Sequence, residues 1–157
     1  MPRSYTVEVE NATLATASGD IDLAELVPAD DKPIRVTRLQ IDITSELGDA
    51  AEEHTRLRWI RGHATTGNGS AVTPRPVDPN DAAAGFTAEM NGATIASAGT
   101  PINHSSDGFN IRSGYQIDYD EETAPRASQA DGLLVLRSMG TFTDDVIGNI
   151  TITVREI

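Results

Sequence analysis

The sequence predicts an all-β protein, a jelly-roll-like β-sandwich of about eight strands, with an up-and-down β-barrel as the alternative. Apolar and polar residues alternate along several segments, which is the period of a half-buried strand. The apolar positions of these segments are rich in Val and Ile, and no long segment carries the period of an amphipathic helix. With 157 residues and no linker, the chain is expected to form one domain, 1–157, with 1–4 as a flexible N-terminal arm.

Two segments of the first half have a clear strand pattern, Ser4–Glu10 and Ile34–Thr44. Between them, Leu14–Leu26 is ambiguous. It contains a Gly-Asp pair that suits a turn, followed by IDLAEL, which fits either a short strand or one helical turn. The acid-rich segment Ser45–His54 is interpreted as a solvated loop with room for one helical turn.

The next predicted strand, Thr55–Arg61, has one apolar face and one face with a row of arginines that includes Arg56 and Arg58. One interpretation is a solvated strand face whose guanidinium groups pair with acids on the neighbouring strand. The other is a contact with another protein subunit, because the planar guanidinium suits ion pairs at interfaces. Both interpretations stay open from the sequence.

A long segment rich in glycine and proline, 62–85, is predicted to be a protruding loop. Its first part, TTGNGS, reads as a flexible turn. Its second part, TPRPVDPND, is stiffened by proline, which lowers the entropy lost on docking. We expect it to act as a contact arm, so that deleting 67–81 leaves the body folded; the alternative is an ordered surface loop without a role. The candidate interface residues in this segment are Pro74, Arg75, Pro76, Asp78 and Pro79.

After this loop, the alternation of FTAEM predicts a strand that ends in the hairpin turn Asn91-Gly92, with Ala93–Ala98 as the returning strand. Asn103–Gly108 is expected to form a turn. Phe109–Tyr119 has the longest alternation in the chain and is expected to be a central strand, with Gly114 marking a bulge or a close backbone approach.

Two further strands complete the predicted sandwich. Leu133–Leu136 is a continuous apolar run, which indicates a strand covered on both faces. At the end of the chain Ile150, Ile152 and Val154 alternate with polar residues, which predicts a half-buried strand.

The composition argues against several classes of partner. Twelve Lys and Arg against twenty-four Asp and Glu give a formal net charge of -12 and a pI near 4.5. Such a field repels the phosphate backbone, so we expect no nucleic-acid partner. No apolar run approaches the length of a membrane helix and the first residues lack the apolar stretch of a signal peptide, so we expect no membrane association and synthesis in the cytoplasm.

The sequence carries no catalytic or metal-binding signature that we can complete. His54, His63 and His104 are not spaced as a local ligand set, and there is no cysteine. No G-x-S-x-G motif is present, and the glycines near residue 67 lack the lysine of a phosphate loop. Clusters of acidic residues leave a Ca²⁺ site open. We therefore expect no enzyme activity and no cofactor.

Several segments of the chain together resemble small all-β capsid auxiliary proteins, the decoration or cement proteins of tailed bacteriophages and prophages. The resemblance extends from about Tyr5 to the C-terminus and is carried by RLRWIRGHATTGNGS, TPRPVDPNDAAAGFTAEMNGATIASAG, FNIRSGYQIDY, LLVLRS and GNITITVREI. It implies a virion protein on the capsid surface that binds the major capsid protein, forms a homotrimer and stabilises the lattice without chemistry.

A carbohydrate-binding or receptor-binding jelly-roll module is the alternative function. In that case Trp59, Tyr115 and Tyr119 would stack on sugar rings. Few aromatic residues are available for this role, and the alternation of their strands places all three on an inward face.

Overall fold

Two antiparallel β-sheets pack face to face in the computed structural model, which describes residues 2–45, 48 and 52–157. Sheet A comprises β1 (Arg3–Ala15), β3 (Ile34–Ile43), β6 (Arg75–Pro76), β9 (Tyr115–Asp118), β10 (Arg126–Ala127) and β12 (Val146–Glu156). Sheet B comprises β2 (Ile21–Val27), β4 (His54–His63), β5 (Ser70–Val72), β7 (Thr87–Gly92), β8 (Ile102–Asn110) and β11 (Leu133–Met139). The predicted all-β sandwich is confirmed.

Eight of the strands have the order of a jelly roll. In sheet A the neighbours are β1, β12, β3 and β9, and in sheet B they are β2, β11, β4 and β8. The chain thus passes repeatedly from one sheet to the other, whereas an up-and-down barrel would pair each strand with the next one in sequence. The barrel alternative is wrong. The remaining strands, β5, β6, β7 and β10, extend the two sheets at their edges.

The core lies between the inner faces of the two sheets and is mainly aliphatic. Its largest fully buried side chains include Trp59, Tyr5 and Phe86, and the Tyr5 and Phe86 rings meet edge to face at 5.7 Å. Trp59 Nε1 donates a hydrogen bond of 2.9 Å to the Tyr119 hydroxyl, which joins β4 to the end of β9. Full burial of each Val, Leu or Ile contributes about 1.5–3 kcal/mol to stability, so these alternating positions hold the sandwich together.

Sheet B is also covered on part of its outer face. Ile60, Leu133 and Val135 form a second apolar cluster there with Ala96, which lies in the segment after β7. Because the other side chains of β11 face the main core, Leu133–Leu136 is buried on both sides. The prediction of a strand covered on both faces is confirmed.

The segments that the sequence left ambiguous become clear in the structure. IDLAEL belongs to β2, which pairs with both β7 and β11 and is therefore a strand and not a helical turn. Gly19 precedes it with a φ of 128°, in a turn that the Gly-Asp pair predicted. The solvated loop predicted for Ser45–His54 lies in large part outside the described residues.

The prediction of one central strand over Phe109–Tyr119 is wrong. β8 ends at Asn110 in sheet B and β9 begins at Tyr115 in sheet A. The Asn110 side chain accepts a hydrogen bond of 2.9 Å from the Arg112 amide and turns the chain between the sheets. The alternation continues through this turn because both ends stay against the core, where the rings of Phe109 and Tyr115 lie 5.4 Å apart.

Gly114 lies in the same connection and makes the close backbone approach that the sequence predicted. A Cβ at this position would lie 2.9 Å from the Ile41 carbonyl oxygen. Asn103–Gly108, in contrast, is not a turn but the middle of β8. Its side chains are mostly polar because it pairs with β4 at the edge of sheet B.

The predicted hairpin at Asn91-Gly92 is also wrong. Only Asn91 has a positive φ, 61°, whereas a type I′ turn needs positive φ at both residues. The partners of β7 are β2 and β5, and Ala93–Ala98 does not return beside it. That segment instead crosses the outer face of sheet B, where Ser97 forms a bridge with Thr65.

The segment 62–85 does not protrude as predicted. It passes through β5, which pairs with β7 at the edge of sheet B, and then through β6, which pairs with β1 at the edge of sheet A. It therefore connects the two sheet edges on one side of the sandwich. The predicted flexible arm is likewise corrected for Arg3 and Ser4, which pair with the end of β12.

Candidate functional site

The arginine row predicted on β4 lies on the outer face of sheet B. Leu57 and Trp59 point into the core, so the alternating Arg56 and Arg58 point outward. Arg56 is exposed and Arg58 is half-buried. Arg58 Nε donates a hydrogen bond of 3.2 Å to the Ser106 hydroxyl on β8. We call the surface formed by Arg56 and Arg58 the arginine face.

The neighbours of the arginine face contradict the interpretation in which acids on the next strand pair with these arginines. Across the strands, Arg58 lies opposite Arg137 on β11 and Ser106 on β8, and Arg56 lies opposite Met139 and Gly108. None of the ion pairs in the described part of the chain includes Arg56 or Arg58. Two guanidinium groups thus face outward, and neither forms an ion pair with a carboxylate among the described residues of this chain of net charge -12.

A shallow depression of about 290 Å³ lies beside the arginine face. It is lined by Arg56, Leu57, Arg58, Ser106, Asp107, Gly108 and Met139. It combines guanidinium donors with the flexible apolar Met139 side chain. A thioether beside an arginine can follow the shape of a protein surface, and both residue types are enriched at interfaces. The depression is suited to contact with another protein surface.

Arg137, which lies next to Arg58, is neutralised within the fold. Its Nε donates to Asp22 Oδ1 at 2.5 Å and its Nη2 to Asp22 Oδ2 at 3.0 Å, and both residues are buried. Asp22 Oδ2 also accepts from the Ala96 amide at 2.6 Å. This buried pair marks the boundary between the covered part of sheet B and the open part that carries Arg56 and Arg58.

A second buried acid, Glu25, fastens another loop to the same face. The Gly67 amide donates to both oxygens of the Glu25 carboxylate, at 3.1 and 2.9 Å. Burial, together with the nearby Asp22 carboxylate, raises the pKa of Glu25 to about 7, although the Gly67 amide acts in the opposite direction. Glu25 therefore titrates near neutral pH while it holds this loop.

Gly67 is required where it stands, which corrects the interpretation of TTGNGS as a flexible turn. A Cβ on Gly67 would lie 1.8 Å from the Thr94 carbonyl oxygen. The next residue, Asn68, donates its amide to the same carbonyl at 3.2 Å and accepts from the Thr94 amide at 2.7 Å through its side chain. The loop is fixed against the segment that covers sheet B.

Sequence reasoning missed Asp22, Glu25 and Arg137. A signal was present, because all three are charged residues inside otherwise apolar strands, IDLAELV and LLVLRSM. Buried charges in such strands require partners. The local sequence does not show that Arg137 pairs with Asp22. It also does not show that the amides of Ala96 and Gly67 donate to Asp22 and Glu25.

The proline-rich candidate residues lie along the edge of β1. Arg75 and Pro76 form β6 opposite Thr6 and Tyr5, and the Val77 amide donates to the Ser4 carbonyl at 2.9 Å. This alternation places the nitrogen of Pro76 on the solvent side, where proline presents no donor to another strand. The segment closes the edge of sheet A and is not a free arm.

The remaining candidate residues follow directly on this edge. Pro74 lies between β5 and β6 and is half-buried, whereas Asp78 and Pro79 are exposed in the turn after β6. Asp78 Oδ1 accepts from the Asn80 amide at 2.9 Å. Val77 is 60% exposed, which leaves an apolar side chain on the surface at this edge.

The structure does not bring the two candidate regions together. The arginine face lies on β4, beside the β8 edge of sheet B. The proline-rich segment lies at the β6 edge of sheet A, where β1 contacts β5 and β7 from the other end of sheet B. A partner that contacts both would have to reach around the sandwich, so we treat them as separate surfaces.

The three histidines lie apart in the fold. His63 Nδ1 lies 3.3 Å from the Ala98 carbonyl oxygen, and His104 Nε2 lies 3.0 Å from that of Thr123. His54 is exposed at the start of β4. Over the described ranges, no group of three or more His, Asp or Glu side chains could hold a metal ion.

The aromatic residues needed for the sugar-binding alternative do not form an exposed platform. Trp59 is 1% exposed, and the only N–H donor of its indole ring is hydrogen-bonded to the Tyr119 hydroxyl. Tyr115 and Tyr119 are half-buried against the core, as the alternation predicted. No observation favours stacking on a sugar ring over their packing role.

Comparisons with known proteins add no family assignment, since no protein-family model matches the chain and no similar sequence is found among curated proteins. Nothing helical in the described part of the chain has the length and apolar character of a membrane span.

Proposed function

We propose that this protein is a structural virion protein that binds the outer surface of a bacteriophage capsid and stabilises its lattice, without catalysis. Its partner is the major capsid protein. The proposal rests on the resemblance to capsid decoration proteins together with one structural observation, the arginine face. Its place of action is the virion surface, after synthesis in the host cytoplasm.

The observation that supports this proposal best is the absence of an acidic partner for Arg56 and Arg58 within the described residues. In a chain of net charge -12, an outward pair of guanidinium groups is a part of the surface suited to carboxylates of another protein. The rigid strand beneath it fixes their position, because Leu57 and Trp59 are anchored in the core. Little ordering entropy is then lost on docking.

Co-sedimentation with assembled capsids of the encoding virus tests the proposal. The double variant Arg56→Gln, Arg58→Gln should bind at least about tenfold more weakly, since charge-assisted hydrogen bonds contribute more than neutral ones. The matched control is Arg3→Gln, Arg38→Gln, which makes the same change in net charge. These two arginines form exposed ion pairs with Asp81 and Asp118 at 3.5 and 3.7 Å, so their loss should cost little stability.

Two results would count against the proposal. If the wild-type chain does not sediment with capsids, the capsid-binding role is wrong. If both double variants bind equally well, binding does not depend on the arginine face. Thermal unfolding of each variant shows whether a loss of binding reflects a loss of folding.

Trimer formation, which the resemblance implies, is part of the proposal. Size-exclusion chromatography with light scattering should give a mass of about three times the 16.7 kDa of one chain. A mass of one chain at high concentration, both alone and bound to capsids, would contradict this part of the proposal.

A further inference from the structure

Three arginines lie side by side on the outer face of sheet A, on adjacent strands. Arg35 on β3 pairs in register with Arg126 on β10 and with Arg155 on β12. Their strand neighbours Ile34, Val36, Ala127 and Val154 are buried in the core, so the three arginine side chains point outward. We call this set the arginine rung.

Within the described residues, the three guanidinium groups of the arginine rung share a single ion-pair partner, Glu121. Side chains directly opposite on neighbouring strands have Cβ atoms about 4.5–5.5 Å apart, and like charges at that distance destabilise the pair. The only ion pair of the rung in the described part of the chain joins Arg35 Nη1 to Glu121 Oε1 at 2.7 Å. Arg126 and Arg155 take part in none of the ion pairs found there.

The Glu121 carboxylate shows where an oxyanion binds to the rung. The Arg35 side chain is 8% exposed, whereas that of Glu121 is 83% exposed. The buried guanidinium is thus fixed, and the acid that reaches it comes from a surface loop. The hydrogen bond and charge of Arg35, with smaller effects of Arg155 and Arg126, lower the pKa of Glu121.

We propose that the arginine rung is a carboxylate-binding site that takes an acidic side chain from a protein partner in exchange for Glu121. The geometry supports a carboxylate ligand because the group now bound to Arg35 is the Glu121 carboxylate. In addition, the planar guanidinium group matches the two oxygens of a carboxylate. Asp120 and Glu122 are the chain neighbours of Glu121, and their charges disfavour the approach of an extended polyanion. A short acidic segment that contributes one or two carboxylates is the ligand that fits, and this inference does not depend on capsid binding.

Titration with a capped diglutamate peptide at low salt tests the proposal, with backbone amide shifts in NMR spectra as the readout. Glu121→Gln removes the competing carboxylate and should bind the peptide about tenfold more tightly than the wild-type chain. Glu122→Gln is the matched control, since it makes the same charge change one residue away and should change binding by less than about twofold. Arg126→Gln, Arg155→Gln should abolish binding, and both residues lie on the surface side of the sheet, so the fold should be retained.

A second titration with inorganic phosphate distinguishes a general anion site from the proposed one. Peptide binding that strengthens in Glu121→Gln and is lost in the Arg126, Arg155 double variant supports the proposal. Binding of phosphate without the peptide would overturn the choice of a protein carboxylate. The site itself would be wrong if neither ligand shifts amides of β3, β10 or β12, or if Glu122→Gln has the same effect as Glu121→Gln.

Discussion

Arg137 holds the Asp22 carboxylate by two hydrogen bonds, at 2.5 and 3.0 Å, beneath the segment that crosses the outer face of sheet B. The same guanidinium donates to the Ala96 carbonyl at 3.4 Å, while Asp22 accepts from the Ala96 amide at 2.6 Å. One buried ion pair therefore satisfies the backbone of the covering segment at Ala96. The Asp22–Arg137 pair lies between the main core and the apolar cluster around Ala96, and it supplies hydrogen-bond partners to the Ala96 backbone there.

Removing one member of this pair should destabilise the protein strongly. Arg137→Met leaves the Asp22 carboxylate buried without its cation, and breaking a buried pair in this way costs about 3–5 kcal/mol. Urea unfolding followed by tryptophan fluorescence measures the loss. The matched control is Asp22→Leu combined with Arg137→Met, which should recover part of the stability because the unpaired Asp22 charge is gone, although the Ala96 amide and carbonyl lose these hydrogen-bond partners. Equal losses in the single and double variants would contradict this account.

Glu25 should make stability depend on pH. Its pKa is about 7 in the folded chain and 4.5 as the ordinary value, so the folded state retains a proton that the unfolded state has lost. The favourable contribution is complete below pH 4.5 and is lost as the pH rises through about 7. The free energy of unfolding of the wild-type chain should therefore fall relative to Glu25→Gln between pH 5 and pH 8.

Glu25→Gln is informative because its side-chain carbonyl can still accept from the Gly67 amide. Glu8→Gln, an exposed change on sheet A, serves as the control and should leave the pH dependence of the wild-type chain unchanged. A constant difference between Glu25→Gln and the wild-type chain across this pH range would show that Glu25 does not titrate there.

Gly67→Ala should destabilise the protein by about 1–3 kcal/mol, because the added methyl group meets the Thr94 carbonyl at 1.8 Å and forces the loops apart. Gly108→Ala is the matched control. Its Cβ would lie 3.4 Å from the Thr55 carbonyl, an ordinary contact, and the change should stay within about 0.5 kcal/mol. Urea midpoints of the two variants measure the difference, and equal midpoints would contradict the requirement for glycine at position 67.

Deleting 67–81 should damage the body of the protein, contrary to the expectation from the sequence. The deletion removes β5 and β6 and so exposes the backbone edges of β7 and β1. We expect a lower urea midpoint and aggregation that grows with concentration, measured by light scattering. Val77→Ser with Pro79→Ser, which changes only exposed side chains of this segment, should retain the wild-type midpoint. A deletion variant that keeps the oligomeric state and the urea midpoint of the wild-type chain would refute this role.

The half-buried strands could be predicted because apolar and polar residues alternate along a strand that buries one of its two faces. This holds for β1, β3 and β12, where Val and Ile alternate with polar residues. The prediction failed at β8, whose edge position leaves INHSSDGFN mostly polar, so the segment resembled a turn. It failed again at Asn110–Gly114, where the turn preserves the alternation across two sheets.

The candidate site could be predicted only in part. Alternation on β4 correctly placed Arg56 and Arg58 on an outer face, but the sequence does not show which residues lie across from them. Glycine and proline indicated a loop between β4 and β7, yet its pairing with two sheet edges depends on contacts between distant segments. The same is true of Arg35, Arg126 and Arg155, which meet only because β10, β3 and β12 are neighbours.

The most direct test of the central claim is an electron cryo-microscopy image of capsids incubated with the protein. The account predicts added density on the outer capsid surface, repeated at equivalent lattice positions, with the face of sheet B that carries Arg56 and Arg58 towards the capsid. Capsids incubated with the Arg56→Gln, Arg58→Gln variant should show this density at reduced occupancy. Capsids without added density, or density in which sheet B faces solvent, would contradict the account.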